Sequence, residues 1–140
     1  MSETNEEKFR RLVDAFNRGE QEGVILEIVS PDFKVTNAPP GAPANRDGWI
    51  ATASAFHAAF PDIHVTITKI VSDGDHLAVH ESVTGTHTGD GIGLPPTGKT
   101  ATVEAAHFVT FADGKIVERK TMTDTMSLFV QLGLVTPPGT

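Results

Sequence analysis

GLPPTGKT, residues 93–100, followed directly by ATVEAAHFVTF, residues 101–111, is the stretch on which the fold turns. The first eight residues satisfy G-x-x-x-x-G-K-(S/T), the pattern of a loop whose backbone N–H groups cradle phosphates, and such a loop belongs to an α/β nucleotide-binding domain. A working cradle opens a helix. Here Pro95 and Pro96 have no N–H to donate, and the following segment is β-branched and alternating, which is the pattern of a strand. The stretch therefore reads as a Gly- and Pro-rich connection between antiparallel strands. It is long enough to form the rim of a cavity, with Lys99 at the loop end rather than on a phosphate.

Working outward, residues 100–111 and 115–122 alternate on either side of ADGK and predict a hairpin, followed by a helix over 125–132 stopped by Gly133. Upstream, period-two alternation begins at Ile63, Val65 and Ile67, turns at SDGD (72–75) and returns over 76–86. Before it, Trp49, Ile50, Ala53, Phe56 and Phe60 form the apolar stripe of a helix with Asn45 as N-cap and Pro61 at its end. APPGAPAN (38–45) is a loop, DFKVTN (32–37) a short strand, and QEGVILEIV (21–29) a helix ended by Ser30-Pro31. Phe9, Leu12, Val13 and Phe16 mark a first amphipathic helix closed by Gly19. Helices placed mostly before a meander predict an α+β fold: a curved, mostly antiparallel sheet wrapped on one face by N-terminal helices, with a short C-terminal helix and a conical cavity between the layers.

The 140 residues carry a net charge of −7 and no cysteine. One domain spanning 1–140 is expected. The charge opposes nucleic acid and anionic lipid, and no run of residues is apolar enough to span a membrane. A soluble cytoplasmic protein with a small neutral or hydrophobic ligand is the expectation. Zinc–thiolate sites and thiol nucleophiles are excluded, no G-x-S-x-G occurs, and no histidines pair at metal-ligand spacing: His76 and His80 are four apart on a strand. No metal and no cofactor are expected.

Strict alternation places Ile116, Glu118, Lys120, Met122 and Asp124 on one face, and Ile116 and Met122 suggest that this face is interior. A carboxylate at Asp124 aimed into an apolar cavity is suited to take and return a proton; the competing reading is a helix N-cap. His107 shares a face with Ala105, Val109 and Phe111, either as a hydrogen-bonded core residue or as an oriented proton donor. Trp49, Phe56 and Phe60 are core residues first and pocket lining second.

Taken in order, AFPDIHV, DGDHLAVH, GTHTGDGIGLPPTGK, HFVTFADGKIVE and DTMSLFVQLG resemble the SnoaL-like polyketide cyclases of the NTF2-like superfamily, over roughly residues 60–133. The resemblance implies a cone with a deep apolar pocket, a homodimer or homotetramer, and metal- and cofactor-free aldol ring closure of a polyketide-like carbonyl compound. It assigns the general acid/base to Asp124, with support from His107 and a pocket-facing polar role for Asn37. Substrate contacts then fall to Trp49, Phe56, Phe60, His80, Glu118, Lys120 and Met122. Lys120 stands where the family often has tryptophan and His80 where an arginine is frequent. A cofactor-free hydroxylase, hydrolase or isomerase of the same fold, and a non-catalytic binding protein, are the alternatives.

Overall fold

Thr4 and Glu7 form a reciprocal capping box at the head of α1 (Asn5–Asn17), so the helix begins where its amphipathic stripe begins. In the computed structural model, which describes residues 3–137 and 139, that stripe buries Phe9, Leu12 and Val13. α2 (Gln21–Ile28) follows, then β1 (Val29–Val35) and α3 (Arg46–Ala59), capped by the Asn45 side chain, which accepts from the Gly48 N–H at 2.9 Å. The meander comprises β2 (His64–Asp73), β3 (His76–Thr86), β4 (Thr100–Ala112) and β5 (Lys115–Thr123), and α4 (Thr125–Gln131) closes the chain. The β4–β5 turn is Asp113-Gly114, both at positive φ (51° and 77°), as a tight two-residue hairpin requires.

The sheet order is β1-β5-β4-β3-β2, antiparallel except for β1, which lies parallel to β5. Odd-numbered residues of β3 and β4 face the helices: Leu77, Val79, Val103, Ala105, Val109 and Phe111 are buried. One cluster joins Phe9, Leu12, Ile25, Ile28, Phe33, Leu77, Val109, Phe111 and Ile116; a smaller one gathers Phe60, Ile63, Ala101 and Leu132 at the other end.

The sheet has three register irregularities, one of them an extra residue at Thr68 in β2, and the other two separate the structure from the sequence pattern around the site. β1 begins at Val29 and contains Pro31, where the sequence puts a helix end and a gap. As an edge strand whose register with β5 slips between Val29 and Lys34, it tolerates a residue without an N–H. In β5, Ile116 pairs with Phe111 but Glu118 pairs with Thr110, leaving Val117 as an extra residue. That bulge reverses the face of everything after it. Ile116 is buried, but the cavity then receives Arg119, Thr121 and Thr123, while Glu118, Lys120 and Met122 take the opposite face.

The connection between β3 and β4 is no phosphate cradle. Its base is pinned by His87 N–H to Lys99 O (2.9 Å) and Gly98 N–H to His87 O (2.7 Å), and the segment after it is a strand. The loop lies on α3, where Gly89 donates to the Ala59 carbonyl. A Cβ at Gly89 would stand 1.9 Å from the Ala58 carbonyl oxygen, so only glycine permits the approach. This contact holds Ile92 and Leu94 over the cavity as its rim.

Candidate active site

The inner sheet face and the helices enclose a cavity of about 460 Å³, within the range of small-molecule sites. Its wall is apolar: Phe9, Leu12 and Phe16 from α1, Trp49, Phe56 and Phe60 from and just after α3, Val83 and Val103 from the sheet, and Leu128 and Phe129 from α4. Few polar groups enter it. The ionisable ones are Glu81 from β3, His107 from β4 and Arg119 from β5; the uncharged polar ones are Gln21 and five threonines, of which Thr121 and Thr123 follow Arg119 on β5.

Glu81 and His107 make the centre. The His107 ring nitrogen Nε2 lies 2.7 Å from Glu81 Oε1, and Nδ1 lies 2.8 Å from Thr121 Oγ1. Both side chains are nearly sealed, with 12% of His107 and 7% of Glu81 exposed. The small Ala105 sits directly across from Glu81, which leaves the carboxylate room to reach diagonally to His107. An ionised carboxylate only accepts, so Nε2 carries the proton given to Glu81; in the neutral ring Nδ1 then accepts from the Thr121 hydroxyl, and in the charged ring it donates to that oxygen. Both imidazole nitrogens are thus engaged. Glu81 Oε2 has no hydrogen-bond partner among the described residues and is not among their sealed polar atoms, which leaves it open to the cavity.

Thr121 is itself fixed from the edge of the sheet. The Asn37 side chain donates from Nδ2 to the Thr121 carbonyl (2.7 Å) and accepts from its N–H at Oδ1 (3.2 Å), continuing the β1–β5 pairing as an amide mimic of a strand. Arg119 lies one inward-facing position before Thr121. Its guanidinium carbon sits 4.0 Å from the Trp49 ring centroid and 5.9 Å from that of Phe33. Burial pushes its pKa down to about 10, an effect partly opposed by the negative charge of Glu81.

Of the residues expected in the site, His107, Trp49, Phe56 and Phe60 line the cavity. The others do not. Asp124 is exposed: its carboxylate accepts from the Ser127 N–H at 3.1 Å, capping α4. Glu118, Lys120 and Met122 face outward because of the bulge at Val117. His80 is on the outer face, bonded to Thr68 and 3.3 Å from Glu104. Asn37 is exposed at the sheet edge and reaches the centre only through Thr121.

Glu81, Thr121 and Arg119 were not anticipated. Glu81 has a signal in the sequence: in LAVHESV it occupies the apolar register of Leu77, Val79 and Val83, and a carboxylate in that register is buried for a reason. Arg119 and Thr121 have none, because the bulge conceals their parity. Among the described residues no group of three His, Cys, Asp or Glu could hold a metal ion, and no helix is long and apolar enough to cross a membrane.

A family model described as SnoaL-like polyketide cyclase matches residues 7–132. The aklanonic acid methyl ester cyclase DnrD of Streptomyces peucetius is 26% identical over 129 residues, covering 89% of this chain and 87% of its own. The nogalonic acid methyl ester cyclase of Streptomyces nogalater is 26% identical over 129 residues, covering 87% and 92%. Among solved structures, IdmH of Streptomyces antibioticus superposes with a TM-score of 0.79 at 32% identity, covering 93% of this chain and 99% of that one.

Proposed function

The chain belongs to the SnoaL-like polyketide cyclase family of enzymes, and from that premise we propose that it closes a ring in a polyketide-like substrate by intramolecular aldol addition, with Glu81 as the acid–base group. The observation that carries this reading is the Glu81–His107–Thr121 chain of hydrogen bonds, held in an otherwise apolar cavity. The named relatives act on methyl esters of aklanonic and nogalonic acid. A poly-carbonyl compound suits the aromatic wall here.

The steps balance without any added reagent. Glu81 Oε2 takes a proton from a methylene flanked by carbonyls, which is already acidified, and leaves an enolate. The enolate carbon attacks a ketone of the same molecule, forming one C–C bond and an alkoxide. Protonated Glu81 returns its proton to that alkoxide, so the product is an isomer of the substrate. His107 holds the carboxylate in place by donating from Nε2, and as both its nitrogens are engaged it acts as a positioning residue. The walls bring the two carbons together, an ordering effect worth several kcal/mol of barrier in general.

This reading moves the acid–base role from Asp124, which caps α4 in solvent, to a carboxylate inside the cavity. The test is ring closure of an aryl 1,3-diketone bearing a pendant ketone, followed by absorbance and mass in air and under argon. The expected product has unchanged mass and forms equally in both. No closure would refute the cyclase reading, and an oxygen-dependent gain of one oxygen atom would replace it with hydroxylation.

We further propose a homodimer, in which a second copy covers the outer sheet face where Val71, Phe108 and Met122 are each about half exposed. Sedimentation of wild type against Phe108→Asp checks it: a dimer that becomes monomeric is expected, and a monomeric wild type would refute it.

A further inference from the structure

Arg119 is the one ionisable group in the cavity that the proton-transfer chemistry leaves without work. Its side chain makes no hydrogen bond and no ion pair with any described residue, and Nε is sealed from solvent with no partner. A buried guanidinium without a partner is costly, and in folded proteins such a group is ordinarily satisfied by a carboxylate or phosphate. The one carboxylate that lines the cavity, Glu81, gives its Oε1 to His107 and forms no ion pair with Arg119. Partial compensation comes from the Trp49 ring 4.0 Å away and from the field of Glu81, neither of which uses an N–H.

The geometry also restricts what can bind. With an indole on one side and the Phe33 ring on another, the guanidinium offers an acceptor in the cavity its terminal Nη1 and Nη2 groups, which unlike Nε are not sealed, and a planar two-oxygen group matches that fork. We propose that Arg119 is a specificity-determining residue that binds an ionised carboxylate of the substrate, so that this chain selects a free acid over its neutral ester. The inference deepens the cyclase reading and rests on it for the identity of the cavity as the substrate site. The inward position of Arg119 precedes that of Thr121 by two residues along β5, roughly 7 Å of strand. The anchored carboxylate is thereby kept apart from the methylene presented to Glu81.

The chain's only tryptophan is Trp49, so its fluorescence reports on this site directly. The experiment titrates 4-phenylbutanoate and methyl 4-phenylbutanoate into wild type, Arg119→Met and Arg119→Lys, with thermal melts to confirm folding. Wild type is expected to bind the acid at least roughly tenfold more tightly than the ester, in line with a charge-assisted hydrogen bond. That preference should vanish in Arg119→Met and persist in weakened form in Arg119→Lys. Should Arg119→Met fail to fold, Arg119→Gln takes its place. Equal affinity for acid and ester in wild type would overturn the proposal, and so would a preference for the acid that survives removal of the cation. Binding is scored without turnover: a failure of ring closure leaves this result readable, and a failure here leaves ring closure standing.

Discussion

Two Glu–His pairs bridge β3 and β4, one on each face of the sheet. Inside, Glu81 from β3 meets His107 from β4 at 2.7 Å, with 7% and 12% of the side chains exposed. Outside, the strands exchange roles: His80 from β3 meets Glu104 from β4 at 3.3 Å, with 43% and 73% exposed. The residue types are identical and the registers adjacent, and each histidine meets a threonine hydroxyl at Nδ1 and a glutamate at Nε2, yet only the inner pair shares a cavity with an aromatic wall. The outer pair is screened by water and contributes little even to stability. Chemistry here follows from the face of the sheet on which a side chain falls, and one extra residue in β5 is enough to change that face.

The inner pair should fail under substitution where the outer pair does not. Glu81→Gln is expected to lower the rate of ring closure by roughly 10²- to 10⁴-fold, the usual contribution of a positioned acid–base group. Glu104→Gln should leave both that rate and the melting temperature essentially unchanged. Stopped-flow absorbance on the same diketone checks both.

The cavity's cation gives a pH test. Because burial lowers the pKa of Arg119 to about 10, the charge is present below that value and lost as pH rises through it. The preference for acid over ester should therefore be flat from about pH 6 to about pH 9 and decline above about 10, well before a free guanidinium titrates. A flat profile through about pH 11 would break this assignment.

Thr121→Val removes the hydroxyl from His107 Nδ1 and leaves a nearly buried nitrogen unpaired. A loss of about 1–3 kcal/mol by urea titration is expected, together with slower closure. On the solvent side, Asp124→Ala removes only a helix cap. It should cost about 1 kcal/mol with closure unchanged.

The fold was legible because its punctuation is local. ADGK and SDGD mark the hairpin turns, Asn45 and Thr125 border helices, and Pro95-Pro96 with a β-branched continuation rules out a phosphate loop. The parallel placement of β1 beside β5 was not, since a pairing between residues 29–35 and 116–119 leaves no signature in either segment. Alternation holds without interruption on β3 from 76 to 86 and on β4 from 100 to 110, so His107 was legible; Glu81 carries the same signal, but the resemblance nominates His80 in its place, and His80 faces outward. The site was illegible on β5, where nothing in IVERKT announces that Val117 will be extruded. The consequence is concrete: strict alternation nominates Glu118, Lys120, Met122 and Asp124, and the bulge substitutes Arg119, Thr121 and Thr123. The aromatic wall survives the error because Trp49, Phe56 and Phe60 follow a helical period that has no such slip.

Deuterium exchange at the methylene of a β-keto ester isolates the first proton transfer from ring closure and from substrate fit. Measured by NMR in D₂O for wild type, Glu81→Gln and Asp124→Asn, catalysed exchange should persist in Asp124→Asn and fall to near the uncatalysed rate in Glu81→Gln. Exchange abolished by Asp124→Asn and retained by Glu81→Gln would contradict the placement of the acid–base group inside the cone.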